Sequence, residues 1–438
     1  MRILVCAPYS PYPAVGGGRA DIWRRIRAFV ALGHSVMLLH QYDPRGMIAF
    51  SEVHAAEMDR VVDARYSFPV RRSVKRVAVQ AFRLTRLPLW VSKAVPDDAV
   101  LDEADRAVRD FAPDLVWADG PWLGELAKRY SDEFHVPLVY RSHNVEHVYL
   151  RRQASASARL RNKVVWTLAA VGVRRYELQM MARAQRVADI SLDDLDYWKG
   201  HGVTGRWLPP LPEIALVDPP AERVPGDVVF VGGLSLPNNV TGLRWLIEDV
   251  LPRVHESDPG VVLSVVGYGA NAELRDELES HPAVRLYSDV ASVYPHLFGA
   301  RVLVNPVAVG SGVQLKMLDM LMTDAPIVTR SQGARGLPPQ CVEQVDVADT
   351  AELFAARILE ALGAGGKAEE GRAECRAMFS LSSVDDIIAD FDPGAGRSQD
   401  KTGGPCHDSG DDTRHMQCQR LSLAARGENS DGAYRHGG

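Results

Sequence analysis

The sequence is poor in cysteine and lacks long hydrophobic runs. Its 438 residues include five cysteines, which are scattered, odd in number and without C-x-x-C spacing: Cys6, Cys341, Cys375, Cys406 and Cys418. This set argues against a disulfide framework and a zinc site, and it is typical of a reducing compartment. No apolar run approaches the roughly 20 residues that a membrane-spanning helix needs.

The pattern of a secretory leader is also missing from the first residues. The segment MRILVCAPYSPYP has a short apolar run, which Pro8, Pro11 and Pro13 interrupt, so it does not resemble a signal peptide. The run is instead typical of a buried first strand. We therefore expect a cytoplasmic protein.

Neither sign of charge is in large excess. The chain has 50 Lys and Arg against 56 Asp and Glu, a net charge of −6. This balance gives no support for a nucleic-acid partner. The hydrophobic fraction of 46% is ordinary for a protein with buried cores.

Short apolar strands alternate with amphipathic helical patterns along most of the chain. The strands are nearly continuous in hydrophobicity, which is typical of parallel strands covered on both faces. The pattern predicts an α/β fold of doubly wound sheets. Predicted strands are 2–7, 35–40, 115–118, 138–141, 187–191, 228–231, 261–266, 302–305 and 327–329, and predicted helices include 20–32, 159–183, 240–254 and 313–322.

The alternation stops in a proline-rich stretch and then restarts. Residues 209–225 carry six prolines and are predicted to be a linker. We expect one Rossmann-like domain over 1–208 and a second over 226–392, with a ligand cleft between them. Residues 393–438 are rich in Gly, Ser, Asp and Arg and are predicted to be a disordered tail.

Glycines cluster where a predicted strand meets a predicted helix, in NPVAVGSGVQLKMLDML. Free amide groups at such a junction attract phosphate, so we expect a phosphate site there. The charge of Lys316 suits a pyrophosphate, and the carboxylate of Asp319 can accept hydrogen bonds from ribose hydroxyls. The alternative is an ordinary glycine turn before an amphipathic helix. The backbone groups concerned belong to Gly310, Ser311, Gly312 and Val313.

This segment resembles the donor-binding motif of the family 4 glycosyltransferases, a retaining group with the GT-B fold. Its helix is similar to the sub-group pattern G-x-x-x-K-x-L-E-A-M. Further segments match the family in the same order and extend the resemblance over about residues 1–391. They are GGGRADIWRRIRAFVALGHSVMLL, RSHNVEHVYLRR, VADISLDDLDYW, VVFVGGLSLPNNVTGLRWLIEDVLP and FSLSSVDDIIADF.

The resemblance implies two Rossmann-like domains facing across a cleft and a metal-independent reaction without a cofactor. A sugar would pass from a nucleoside-diphosphate donor, with a UDP-sugar favoured, to an acceptor hydroxyl with retention of configuration. The acceptor would be a small molecule, a glycan or a lipid-linked molecule.

The resemblance also implies positions for the site residues. The loop of Gly16, Gly17 and Gly18 would lie under the donor phosphate and sugar. His143 would contact the sugar near the reacting carbon and, with Lys316, take part in catalysis. Gly232 and Gly233 would end the first strand of the nucleotide domain.

The sequence departs from the family pattern at two places. Asn238 and Asn239 stand where many members carry an Arg and a Lys that bind pyrophosphate, so we expect Lys316 to take more of that task. Helix capping is the alternative role for these asparagines. Where many members carry two glutamates in the donor motif, this chain has Ser311 and Asp319.

These departures keep two alternatives open. One is a GT-B sugar-nucleotide epimerase, and the other is a catalytically weak donor-binding subunit, which the uncharged Ser311 suggests.

A basic and apolar segment, residues 71–95, suggests peripheral contact with the inner face of a membrane. A helix packed on the N-terminal sheet is the other interpretation of this segment.

Overall fold

The computed structural model of the chain describes residues 1–44, 50–70, 86–157, 159–217, 219–309, 313–364 and 369–391. Two compact units account for these residues. The first contains Met1–Pro210 and, from the C-terminal segment, residues 381–391. The second contains Leu211–Ser380. The tail predicted over 393–438 lies outside the described residues.

The described part of the first unit contains a seven-stranded parallel sheet in the order β3-β2-β1-β4-β5-β6-β7. The central strands are fully buried, because near-continuous apolar sequence suits a sheet covered on both faces. The strands are β1 (Arg2–Ala7), β2 (Ser35–Tyr42), β3 (Ala64–Pro69), β4 (Leu115–Asp119), β5 (Leu138–Ser142), β6 (Arg186–Asp189) and β7 (Arg206–Trp207).

Helices connect these strands by crossovers and cover the sheet. They are α1 (Gly17–Ala31), α2 (Glu52–Asp59), α3 (Leu89–Ala94), α4 (Asp98–Phe111), α5 (Gly124–Phe134), α6 (Glu146–Ala156), α7 (Leu160–Ala170), α8 (Val173–Arg183) and α9 (Leu192–Lys199).

The second unit repeats this architecture on a smaller scale. Its described residues form a six-stranded parallel sheet in the order β10-β9-β8-β11-β12-β13. A core of buried aliphatic residues and Phe230 packs on it. The strands are β8 (Gly226–Val231), β9 (Leu263–Gly267), β10 (Val284–Ser288), β11 (Ala300–Asn305), β12 (Ile327–Thr329) and β13 (Asp346–Val347).

The helices of the second unit begin with a short 3₁₀ turn, Glu213–Ala215, and include a π-helical turn, Leu246–Val250, between two α-helical segments. Across the described ranges of both units, no helix combines the length and apolar character needed to cross a bilayer. The helices are α10 (Pro237–Trp245), α11 (Leu251–Ser257), α12 (Ala272–Ser280), α13 (Tyr294–Gly299), α14 (Leu315–Leu321), α15 (Ser331–Ala334), α16 (Pro339–Val342), α17 (Ala351–Ala364) and α18 (Glu369–Met378).

The two parallel sheets confirm the predicted α/β class with two Rossmann-like units. One predicted helix is divided: the expected continuous helix 159–183 forms α7 and α8. The break falls at Gly172, whose φ of 77° is left-handed and cannot continue an α-helix.

The last helix, α19 (Leu381–Ile388), differs from the expectation that 226–392 forms one domain. It groups with the first unit and ends in a 3₁₀ turn, Ala389–Phe391. Arg186 of β6 donates to the carbonyl oxygen of Ile387 at 2.9 Å and pairs with Asp390 at 2.5 Å. Its guanidinium also lies over the ring of Phe391, 5.0 Å from the centroid. The boundary near 208 lies close to the division between Pro210 and Leu211.

The backbone is closely packed at the carboxyl end of β9, and a substitution at Gly267 can test this packing. A Cβ atom on Gly267 would lie 2.0 Å from the carbonyl oxygen of Gly232. Gly267→Ala should therefore destabilise the protein by about 2 kcal/mol or more. Gly363→Ala is the matched control, because open space surrounds that helical position and alanine should stabilise it by about 1 kcal/mol. Urea unfolding measures both, and equal stability of the two variants would contradict the packing.

Candidate functional site

Three of the predicted donor-site positions come together in the second unit. Lys316, in the first turn of α14, donates from Nζ to Oδ1 of Asn239 at 3.1 Å. The Nδ2 group of Asn239 in turn donates to the carbonyl oxygen of Gly233 at 3.0 Å. This chain of contacts joins α14 and α10 to the loop that follows β8. We call these three residues the lysine site.

Asn239 is therefore not a helix cap. The N-cap of α10 is Leu236, and Pro237 occupies the first turn without a side-chain cap. Gly232 lets the asparagine approach, because a Cβ there would lie 3.0 Å from Nδ2 of Asn239.

The ammonium group of Lys316 lies in a partly apolar setting. It stands 5.1 Å from the centroid of the Phe230 ring. Burial lowers the pKa of Lys316 from its ordinary value to about 7, because desolvation disfavours the charged form. The positive charge is only partly compensated by the neutral Asn239, so an anion beside Nζ would be favourable.

The loop before α14 is only partly described. Gly310, Ser311 and Gly312 lie outside the described residues, while Val313 is half-buried. The helix begins at Leu315 rather than at the expected position 313. Its N-cap, Gln314, has an extended backbone. The side chain of Gln314 accepts at Oε1 from Nδ2 of Asn305 at 3.1 Å and donates from Nε2 to the carbonyl oxygen of Gln332 at 3.3 Å.

Asp319, the predicted ribose contact, is buried. Its Oδ1 accepts from the backbone amide of Glu213 at 2.9 Å and from the hydroxyl of Tyr294 at 3.2 Å. These contacts hold the 3₁₀ turn and α13 against α14, which is a structural role. A contact between Asp319 and a ribose stays a prediction.

In the first unit, His143 follows β5 and is held by two carboxylates. Its Nε2 lies 3.0 Å from Oδ1 of Asp119, at the end of β4, and its Nδ1 lies 3.4 Å from Oδ2 of Asp21 in α1. Because a carboxylate can only accept, Nε2 donates to Asp119. The side chain of His143 is 12% exposed, so one edge of the ring reaches the surface of the unit.

Two arginines balance these carboxylates. Arg25 pairs with Asp21 at 2.7 Å and also with Asp119, and Arg141 pairs with Asp21 at 3.1 Å. All four side chains are almost fully buried. Although burial opposes ionisation, the adjacent Arg141 and Arg25 hold the pKa of Asp21 below its usual range, and Arg25 and His143 do the same for Asp119. We call Asp21, Arg25, Asp119 and Arg141 the ion cluster.

The glycine loop is the start of α1. Gly16 is the N-cap with a φ of 85°, and Gly17 and Gly18 lie in the first turn. A Cβ on Gly18 would lie 2.4 Å from the hydroxyl of Tyr9, so glycine permits this approach. Arg19 donates to the carbonyl oxygen of Ser10 and lies over the Tyr9 ring, 5.1 Å from the centroid. The loop and its neighbours thus lie beyond the carboxyl end of β1.

The structure adds a buried acidic pair beside His143. Glu177 of α8 accepts from the backbone amides of Glu146 at 2.8 Å and His147 at 3.3 Å, and it accepts from Nδ1 of His147 at 2.7 Å. It therefore caps the N-terminus of α6, where a negative charge is favourable. Burial, with a smaller effect of Glu177, raises the pKa of Glu146 to about 8. Glu177 lies 34 positions beyond His143, and no local pattern indicated it.

These observations define one cluster in each unit, and each lies at the carboxyl ends of parallel strands. Ligands of open α/β sheets bind at this edge. The first cluster carries a histidine held by two carboxylates. The second carries a buried lysine that donates to an asparagine side-chain oxygen. An anionic ligand with hydroxyl groups suits this chemistry.

Residues 225–363 match the family model described as glycosyl transferases group 1. The matched residues make up most of the second unit. The match includes Gly232, Gly233, Asn239, Lys316 and Asp319, so both ends of the lysine site lie within it.

Solved structures extend the likeness to both units of the chain. HepE of Anabaena in complex with UDP-glucose is 12% identical, with a TM-score of 0.55 over 89% of this chain and 98% of that chain. Sucrose-phosphate synthase of Thermosynechococcus elongatus is 15% identical, with a TM-score of 0.54 over 89% and 98%. Such low identities show the fold alone, and the fold is GT-B.

A relative of Klebsiella pneumoniae is similar along most of its length. It is described as an uncharacterized 44.6 kDa protein in cps region. The two sequences are 25% identical over 376 residues, which cover 82% of this chain and 90% of the relative.

The raised pKa of Glu146 predicts a pH-dependent stability. Its unfolded-state pKa is near 4.5 and its folded-state pKa is about 8, so the folded state binds the extra proton between these values. Stability should fall as pH rises from 5 to 8. Glu146→Gln should remove this loss and stabilise the protein at pH 8 by on the order of a few kcal/mol, with little change at pH 5.

Thermal unfolding at both pH values measures the effect. Glu343→Gln, at an exposed position, serves as the control and should not alter the pH dependence. A Glu146→Gln variant that is no more stable than the wild type at pH 8 would contradict the burial of the carboxyl group.

Proposed function

We propose that the protein is a glycosyltransferase that moves a sugar from a nucleoside diphosphate to an acceptor hydroxyl with retention of configuration. A UDP-sugar is the favoured donor. The match of residues 225–363 to the group 1 model supports the transferase class. The proposal rests most on the lysine site, where a lysine with a lowered pKa lies beside an asparagine amide at the carboxyl end of β8.

The lysine site suits a diphosphate. Many family members place an Arg and a Lys where this chain has Asn238 and Asn239, so a single cation must carry more of the phosphate charge. Asn239 holds Lys316 in place through a hydrogen bond from Nζ to Oδ1 of 3.1 Å. We propose that Nζ and the amides of Gly310–Val313 bind the pyrophosphate, with Gly232 and Gly233 giving it close approach to the backbone.

The first unit would serve the sugar and the acceptor. We propose that His143 contacts the donor sugar, and that its orientation comes from Asp119 and Asp21. The amides at the start of α1, from Gly16 to Gly18, would lie beside the donor phosphate. Asp21 and Asp119 are then positioning residues, because they act through the histidine ring.

The proposed reaction breaks the bond between the anomeric carbon and the diphosphate oxygen and forms a bond to the acceptor oxygen. The electron pair stays with the departing diphosphate, where Lys316 and backbone amides stabilise the developing charge. The acceptor proton passes to the departing phosphate, so no separate general base and no metal ion are required. Addition of EDTA should leave turnover unchanged.

The pKa of Lys316 predicts how donor binding depends on pH. A bound diphosphate raises the pKa of Lys316, so the complex takes up a proton above pH 7. The affinity for UDP should therefore fall between pH 7 and 9, by up to about tenfold per unit. Titration calorimetry at pH 8 in two buffers of different ionisation enthalpy should show proton uptake.

Two variants control this prediction. Lys316→Ala should weaken UDP binding by roughly tenfold or more, because loss of one partner of a buried charge pair typically costs about 2–5 kcal/mol. It should also abolish the pH dependence, because the titrating amine is gone. Lys316→Arg should bind UDP without the pH dependence, because arginine stays charged. Unchanged affinity of Lys316→Ala would show that the pyrophosphate binds elsewhere.

The donor and the reaction are tested together. Thermal shift with UDP-, GDP-, ADP- and TDP-sugars should show stabilisation by one of them, with UDP-sugars favoured, and stabilisation by none would refute the proposal. Product analysis of the bound donor then separates the alternatives. Free nucleotide with an epimerised sugar would identify an epimerase, and an intact donor with every acceptor class would identify a donor-binding subunit.

Two further expectations stay predictions. One is a cytoplasmic location, and the other is membrane contact through 71–95, of which 71–85 lie outside the described residues.

A further inference from the structure

Helix α7 leaves an apolar stripe exposed on the first unit. Leu160, Val164 and Leu168 follow one another at intervals of four residues and lie on one side of the helix. Their exposed fractions are 76%, 49% and 57%, and Val171 just beyond the helix is 64% exposed. Single exposed apolar residues are ordinary, but an aligned stripe of this kind marks an interaction surface.

The opposite side of α7 is packed, so the stripe is a fixed feature of the fold. Ala169 and Ala170 are buried in a small core with Leu150 and Val173, and Trp166 packs against it. The helix is thus apolar on two sides, and only one of them finds a partner within the unit.

An aromatic pair covers the packed side of α7. Trp90 of α3 stacks on Trp166 with ring centroids 5.9 Å apart and an interplanar angle of 11°. Trp90 is 40% exposed. By helical spacing Trp166 lies on the side of α7 opposite the stripe, so this pair leaves the stripe uncovered.

The segment that carries the stripe has only positive charges. Residues 147–176 contain no acidic side chain. Their seven arginines and lysines are all exposed: Arg151, Arg152, Arg159, Arg161, Lys163, Arg174 and Arg175. By helical spacing, Arg161 and Lys163 lie on the two flanks of the stripe.

We propose that the face formed by the exposed stripe of α7 and the cations of its segment docks the protein on an anionic membrane surface. The apolar stripe would enter the boundary of the acyl chains, and the cations would contact anionic headgroups. A second copy of this chain fits the face less well, because a two-fold contact would bring the same seven cations of each copy together. This docking is independent of the donor chemistry and does not require the glycosyltransferase proposal.

Vesicle sedimentation of the full chain tests the proposal. The protein should sediment with vesicles of equal parts phosphatidylglycerol and phosphatidylcholine at low salt, and much less with phosphatidylcholine alone. The triple variant Leu160→Ser, Val164→Ser, Leu168→Ser and the double variant Arg161→Glu, Lys163→Glu should each lower the partition coefficient by roughly tenfold or more. Exposure of these positions predicts native folding, which circular dichroism and UDP binding check.

Matched controls alter the same residue types elsewhere. Val53→Ser, Leu236→Ser, Leu353→Ser changes three exposed apolar residues, and Lys199→Glu, Arg285→Glu reverses two exposed cations. Both should sediment with the vesicles to within a factor of two or so of the wild type.

Two outcomes would overturn the proposal. The first is vesicle binding that the α7 variants leave unchanged. The second is a dimer in the absence of lipid that the triple variant dissociates, which would identify the face as a contact between copies. Failure of UDP to bind the wild-type protein would instead count against the glycosyltransferase function and leave the vesicle result unaffected.

Discussion

The buried ion cluster is the constraint on which the first unit's site depends. Asp21 and Asp119 would each be costly inside the protein without Arg25 and Arg141, and removal of one partner from such a cluster typically costs about 3–5 kcal/mol. The cluster ties α1 to the ends of β4 and β5. The glycine start of α1 and the ring of His143 are therefore placed by the same set of charges.

The buried charge of the second unit is not compensated by an opposite charge in the same way. Within the described residues, Lys316 has a neutral amide as its hydrogen-bond partner instead of a carboxylate. A charge that is only partly compensated costs stability, and the lowered pKa of Lys316 expresses this cost. An anionic ligand beside Nζ would lower this cost. In the first unit the buried charges thus neutralise one another, whereas in the second unit a buried amine has a neutral amide as its hydrogen-bond partner.

The sequence predicted the interior of the fold better than its borders. All nine predicted strands are present, and the four that escaped prediction, β3, β7, β10 and β13, are the edge strands of the two sheets. Edge strands are short or half-buried, so they lack a continuous apolar run. Likewise, the motifs of the sequence indicated Lys316 and Asn239 as site residues. Asp119 and Glu177 were not indicated, because they make contacts between distant parts of the chain that no local spacing reveals.

Helix α19 makes the first unit discontinuous in sequence. Its contacts with β6 form only after the whole of Leu211–Ser380 has been synthesised. During translation Arg186 therefore lacks Ile387 and Asp390 as partners until the second unit has been synthesised. A fragment that ends near Pro210 would therefore lack α19 and would not contain the whole first unit.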